Sequence, residues 1–176
     1  MVVKLLPLQE LMEKTDEKTL SHLLSSFICS RSKDSEYFLK KTSLVHEKNS
    51  ISRTYLLTDA DEKTIYGYFT LALKCLMVHD HNELNQDIID LMNLSDDVAQ
   101  AYLIGQLARS DDTGPGFGKA MIGIAEGILS DGNRMFGCRT VRLDCKDGLI
   151  GYYRSCGFRL LRKNTDTDLN QMVTFI

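Results

Sequence analysis

Apolar residues recur along this chain with two different periods, and the switches between them outline its elements. Residues 2–6 form a short apolar run stopped by Pro7, which reads as a first strand. Thr15 or Asp16 then opens a helix whose apolar face is Leu20, Leu23, Leu24 and Phe27, spaced three and four apart. A second helix is predicted over 34–48, with Phe38, Leu39, Leu44 and Val45 inward and Lys40, Lys41, Glu47 and Lys48 on a solvated face. Residues 52–58 and 64–78 are rich in Tyr, Leu, Thr and Phe and flank the polar turn Asp59-Ala-Asp-Glu-Lys63, a hairpin. Gly67 inside the second run marks a bulge or a close backbone approach.

Residues 79–100 read as a polar insertion with a helical centre at Leu84, Ile88, Ile89, Leu91 and Met92. An apolar strand over 101–108 follows. A helix over 120–129 then puts Met121, Ile122, Ala125, Ile128 and Leu129 on one face. Residues 140–145 alternate as a strand, and 149–158 form a short helix closed by Gly157. The stretches 159–163 and 172–176, joined by a polar loop at 164–168, make a closing antiparallel hairpin. Strands and helices mixed in this way within 176 residues predict one domain, 1–176, of α/β (α+β) class.

The connection at 113–119, Thr-Gly-Pro-Gly-Phe-Gly-Lys, stands between a strand and a helix. Glycines at 114, 116 and 118 let the backbone curl and let a ligand approach closely. The first amides of the new helix have no acceptor within it and point outward, where the helix dipole favours an anion. Pro115 has no N–H, so the amides of Gly116, Phe117, Gly118 and Lys119 are the expected donors, with the Lys119 charge beside them. Two phosphate loops are excluded by spacing. Only three residues separate Gly114 from Gly118, and Ala120 stands where a metal-binding hydroxyl is needed in the ATP-type loop. The dinucleotide fingerprint G-x-G-x-x-G is not met, and the turn comes late in the chain. An ordinary tight connection is the plainer alternative.

Composition narrows the class. With 43% apolar and 26% charged residues the chain reads as an ordinary globular domain. No apolar run approaches the roughly 20 residues a membrane span needs, and the N-terminal Met-Val-Val-Lys-Leu-Leu-Pro lacks a signal peptide's core and cleavage site. No membrane association and a cytoplasmic location are therefore expected. Five cysteines without a C-x-x-C pair argue against a disulfide scaffold or a zinc site. His79-Asp80-His81 invites a metal reading, but two histidines on a loop without a third ligand favour a solvated loop, so no metal is expected. The net charge of −3 advertises no nucleic-acid surface, although Lys33, Lys40, Lys41 and Lys48 are candidates for a local basic stripe.

Two motifs in order carry a family resemblance. Thr113-Gly-Pro-Gly116-Phe-Gly118 fits the pyrophosphate loop Gln/Arg-x-x-Gly-x-Gly/Ala except at its first position. Tyr152-Tyr153-Arg-Ser-Cys-Gly157-Phe158 fits the motif Phe-Tyr-x-x-x-Gly-Phe. Together they resemble the GNAT superfamily of N-acetyltransferases. The segments Phe27-Ile-Cys-Ser, Ser52-Arg-Thr-Tyr and Ile65-Tyr-Gly-Tyr-Phe-Thr-Leu-Ala72 further resemble the N-terminal half of its toxin branch, from bacterial toxin–antitoxin pairs. The resemblance implies the GNAT fold: a mixed, mostly antiparallel sheet flanked by helices, with central strands splayed to form a slot for acetyl-CoA.

It also implies a division of labour. Amides of Gly116, Phe117, Gly118 and Lys119, with Thr113 and Gly114 shaping the turn, would hold the CoA pyrophosphate. The strand edge at Leu107, Ala108 and Arg109 would pair with the pantetheine, and an N–H near Leu107 would face the thioester carbonyl. Tyr153 would protonate the departing thiolate as general acid, the plainer alternative being a buried aromatic. Tyr152 is the neighbouring candidate, but a helix turns adjacent side chains about 100° apart, so only one faces the cofactor. No general base stands out; Asp144 is a candidate that serves equally as a structural acceptor, and Cys145 and Cys156 are weak acetyl-carrier candidates.

The expected reaction is acetyl transfer from acetyl-CoA to a primary amine. A toxin-type aminoacyl-tRNA acetyltransferase and a non-catalytic CoA-responsive binding module are the alternatives. The resemblance also admits a homodimer and an antitoxin protein as partners, and tRNA as a partner that the acidic balance does not favour.

Overall fold

The computed structural model describes residues 3–78, 82–163 and 167–176. The polar insertion's first residues, His79-Asp80-His81, and Asn164, Thr165 and Asp166 of the 164–168 loop lie outside the described residues, as does Val2 of the first strand. Seven strands form one sheet: β1 (Lys4–Pro7), β2 (Arg53–Thr58), β3 (Ile65–Met77), β4 (Val98–Arg109), β5 (Thr140–Cys145), β6 (Arg159–Lys163) and β7 (Asn170–Phe175), in the order β1-β2-β3-β4-β5-β7-β6. By compactness the chain divides into two units, residues 1–72 with 106–121 and residues 73–105 with 122–176.

In the first unit β1 and β3 flank β2 antiparallel, with Pro7 opposite Tyr55 and Arg53 opposite Leu71. Immediately after Pro7 comes a helix absent from the sequence prediction, α1 (Leu8–Lys14). It is seven residues long and buries only Leu8 and Leu11, too little periodicity to recognise in isolation. α2 (Glu17–Ser25) starts where Asp16 caps it, its carboxylate accepting from the amides of Lys18 and Thr19 at 3.1 and 3.0 Å.

The predicted 34–48 helix is broken into α3 (Lys33–Tyr37), a π-helical turn (Phe38–Thr42) and α4 (Ser43–Lys48). The π-turn moves the inward face to Leu39, Ser43 and Glu47, which are buried, and leaves Val45 exposed. Glu47, expected on the solvated face, is therefore buried, and its carboxylate is satisfied by Arg53 at 2.9 Å and by the Thr54 amide. Leu8, Leu20, Leu24, Phe27, Leu39, Leu56, Tyr68 and Ala108 close this unit's core. Phe27 meets Tyr68 edge-on at 5.5 Å, and the Tyr68 hydroxyl donates to Ser35 O at 2.6 Å. Gly67 shows both expected features. The register shifts at Leu57/Thr58 near it, and a Cβ there would stand 2.8 Å from Met121 Sδ and 3.1 Å from Ala108 O.

The second unit holds the far ends of β3 and β4, the rest of the sheet and most of α6 (Phe117–Phe136). α6 buries Met121, Ile122, Ala125 and Leu129. β5 pairs with β4 in parallel and with β7 antiparallel, and β6 pairs antiparallel with β7. The insertion's helical centre shrinks to α5 (Gln86–Asp90), capped by Asn85; Leu84, Ile89 and Met92 pack on Leu76, Ala99, Ala101, Leu161 and Val173. Among the described residues no helix is long and apolar enough to cross a membrane.

Candidate functional site

The glycine turn is built by hydrogen bonds local to it. Where β4 ends, Ser110 N donates to Tyr66 O at 2.8 Å, holding the strand's exit against β3. Ser110 O then accepts from the Thr113 amide at 3.2 Å and from the Thr113 hydroxyl at 2.7 Å. The Arg109 guanidinium donates to Thr113 O and, at 3.2 Å, to Thr113 Oγ1. Thr113, at the loop position where the family pattern has Gln or Arg, is thus a buried side chain that closes the turn from inside. Gly114 and Gly116 stay exposed, with nothing among the described residues, apart from their chain neighbours, within 4 Å of a Cβ built on either, and Gly116 sits at φ +85°, where a side chain is strained. The first i→i−4 bond of α6 runs from Ala120 N to Gly116 O at 3.1 Å. The amides of Phe117 and Gly118 precede it, in the helix's open first turn. Leu107, Ala108, Arg109, Thr113, Gly114, Gly116, Phe117, Gly118 and Lys119 all belong to the first unit.

The ladder joining β4 to β5 covers three pairs, Tyr102–Val141, Leu103–Arg142 and Ile104–Leu143.

Tyr153 belongs to the second unit, on α7 (Ile150–Ser155), which follows a 3₁₀ turn at Asp147–Leu149. Gly157, at φ +94°, ends the helix, its amide donating to Arg154 O at 3.0 Å while Phe158 N returns to Tyr153 O at 3.1 Å. That closure turns Tyr153 inward, against the rings of Phe158 at 6.0 Å and Tyr152 at 5.1 Å, and leaves Tyr152 partly exposed. Burial, with a smaller contribution from Cys145, pushes the Tyr153 phenol above its usual pKa, so it stays protonated at neutral pH. Among the described residues its hydroxyl has no hydrogen-bond partner.

Two of the remaining candidates, Asp144 and Cys145, are occupied structurally. Asp144 receives two bonds from the Arg142 guanidinium, at 2.8 and 2.7 Å. Cys145 is buried with its sulfur 3.5 Å from Met172 Sδ, and burial pushes its thiol up to about 11, away from thiolate chemistry. Among the described residues no group of three or more His, Cys, Asp or Glu is placed to hold a metal.

Sequence reasoning passed over Asp111 entirely. Its carboxylate gathers the Ser30 amide and hydroxyl and the Arg31 guanidinium at 3.0–3.1 Å, and its own amide donates to Ile28 O at 3.1 Å. One side of that network is the Phe27-Ile-Cys-Ser segment, and the other is the residue two before Thr113. Nothing local signals it, since the partners are 81 residues apart.

No family model and no curated protein sequence matches the chain. Solved structures match along its whole length. AtaT complexed with acetyl-methionyl-tRNAfMet is 18% identical, with a TM-score of 0.77 over 99% of this chain and 95% of that one. A tyrosine-to-phenylalanine mutant of KacT is 16% identical, with a TM-score of 0.77 over 99% and 96%. The chain has the GNAT fold. A third GNAT-fold structure, a tyrosine-to-phenylalanine mutant of the AtaT toxin bound to acetyl-CoA and the C-terminus of the antitoxin AtaR, is 16% identical. Its TM-score is 0.70 over 99% and 94%. At these identities the likeness is one of fold. Within that fold, the glycine turn before α6 and the tyrosine of α7 are this chain's own candidates for the site.

Proposed function

We propose that this chain is an acetyl-CoA-dependent N-acetyltransferase of the toxin type, moving the acetyl group directly to the α-amine of an aminoacyl-tRNA. The observation that carries the reading is the turn at 113–119: glycines exposed at 114 and 116, a Thr113 locked inward, and an open first helical turn, in a GNAT fold. In this reading the amides of that turn bind the CoA pyrophosphate, and the edge of β4 at Leu107, Ala108 and Arg109 pairs with the pantetheine. The amine lone pair attacks the thioester carbon, and a β4 amide near Leu107 stabilises the oxyanion. The C–S bond then breaks as Tyr153 gives its proton to the sulfur, and the attacking nitrogen releases a proton to water.

The acceptor is supported by the AtaT complex with an acetylated aminoacyl-tRNA. An antitoxin as protein partner is part of the same proposal, supported by the AtaT structure carrying the AtaR C-terminus. Any other primary amine remains within the acetyltransferase reading.

The test is incubation with labelled acetyl-CoA and separate pools of small amines, proteins and charged tRNA. Label is expected in the charged tRNA, with Tyr153→Phe lowering turnover about 100-fold or more while acetyl-CoA binding is retained. A protein that binds CoA and labels nothing is instead the non-catalytic CoA-responsive module, and one that does not bind CoA overturns both.

A further inference from the structure

An aminoacyl-tRNA acceptor needs a cationic surface, and three of the four lysines that the sequence suggests for it are engaged by carboxylates. Lys33 and Lys40 both bind Glu36, at 3.1 and 2.9 Å, and Lys48 binds Glu17 at 3.4 Å. The second unit offers a different set. A cavity of about 280 Å³ is flanked by Arg154 from α7 and Arg159 at the start of β6. Leu84, Asn85 and Ile88 also line it, a mixed surface of two aliphatic residues and one amide, with Phe158 buried beneath. Among the described residues neither arginine has an ion-pair or side-chain hydrogen-bond partner, and the one carboxylate lining the cavity is Glu83. Lys146, Arg162 and Lys163 lie in the same stretch of chain, where 146–163 holds five basic residues against Asp147 alone, with Lys163 paired to Asp168 at 2.8 Å.

We infer that this cavity takes a nucleotide of the RNA acceptor, Arg154 and Arg159 binding backbone phosphate while the base lies beside Leu84, Asn85 and Ile88. The inference rests on the aminoacyl-tRNA reading above. Its chemistry is the usual division of single-stranded RNA recognition: guanidinium groups for phosphate, apolar surface for the face of an unstacked base. The tie to catalysis is through the helix, because Arg154 directly follows Tyr153 on α7 and projects to solvent as Tyr153 turns inward.

Three readouts on Arg154→Gln/Arg159→Gln test it: binding of deacylated total tRNA at stepped salt, acetylation of charged tRNA, and acetyl-CoA affinity. The double variant is expected to raise the KM for charged tRNA about tenfold and to flatten the salt slope of tRNA binding by about 1.4, two contacts at roughly 0.7 each. Acetyl-CoA affinity and turnover with a small amine stay unchanged, and Arg154→Lys/Arg159→Lys restores most of the tRNA binding. Unchanged tRNA binding in the double variant overturns this inference and leaves the acetyltransferase reading standing. A parallel loss of acetyl-CoA affinity overturns it too, assigning the arginines to the cofactor. A wild-type protein that acetylates small amines but neither binds nor acetylates charged tRNA overturns the acceptor assignment together with this site.

Discussion

Ser30 and Asp111 are joined three times over, the Ser30 amide reaching both carboxylate oxygens at 3.1 Å and its hydroxyl one of them at 3.0 Å. The pair locks the connection after α2 to the residues that lead into the glycine turn. Glu36 ties the same connection to the start of the next helical segment instead, accepting from the Cys29 amide at 2.9 Å and from Lys33 and Lys40. Both carboxyls are held below their usual pKa, Asp111 chiefly by the Ser30 amide and Glu36, to about 2, chiefly by the Cys29 amide.

A carboxylate whose pKa is lower folded than unfolded stabilises the fold above the unfolded value and ceases to do so as pH falls toward the folded one. For Glu36 that window runs from about 4.5 down to about 2. Glu36→Gln is expected to lower stability by a constant amount at pH 6–8, with the difference from wild type closing through that window. Urea titrations at stepped pH measure it, and a difference that persists unchanged at low pH contradicts the assignment.

Gly67 and Gly114 separate packing from ligand approach. Gly67→Ala drives a Cβ against Met121 and Ala108 O and is expected to cost about 1–3 kcal/mol of stability. Gly114→Ala meets nothing within 4 Å, so it should fold like wild type while weakening acetyl-CoA binding if the backbone there touches the cofactor. Thermal unfolding and calorimetric CoA titration read the two effects independently.

The pH–rate profile tests the acid. An ordinary phenol loses its proton near pH 10, and burial holds that of Tyr153 higher. Activity dependent on the protonated phenol is therefore expected to show no alkaline limb from this residue below about pH 10. A limb near pH 8–9 that disappears in Tyr153→Phe would assign the phenol a lowered pKa, contrary to its surroundings.

Tyr102 is the reverse of a useful hydroxyl. Among the described residues its buried oxygen has no partner, and a Cβ built on Gly132 would stand 2.8 Å from it. Tyr102→Phe is expected to be neutral or stabilising by up to about 1 kcal/mol, since it removes an unsatisfied polar group. Gly132→Ala should destabilise the wild type and do so less in the Tyr102→Phe background, a coupling that a double-mutant cycle in urea detects.

The elements with a strong local pattern were legible from the residues alone. Asp16 caps its helix, Gly67 marks both the register shift and the tight approach, and Gly157 closes the helix before Phe158. Local chemistry decides such features, because a cap or a left-handed glycine answers to its neighbours within a turn. The same holds for the strand–glycine turn–helix at 101–129, whose elements the structure extends to Val98–Arg109 and Phe117–Phe136 without changing their order.

Tertiary structure decided what depends on partners far along the chain. α1 exists because the core accepts Leu8 and Leu11, not because seven residues favour a helix by themselves. The π-turn shifted a whole face, burying Glu47 and exposing Val45, once Arg53 and the Thr54 amide were there to satisfy the carboxylate. Thr113 turned inward because Ser110 O and Arg109 met it, and Asp111 found Ser30 across 81 residues. Periodicity and capping are written within a few residues and can be read there. Satisfying a buried polar group is a long-range matter, settled only when the folded chain brings its partner within hydrogen-bond reach.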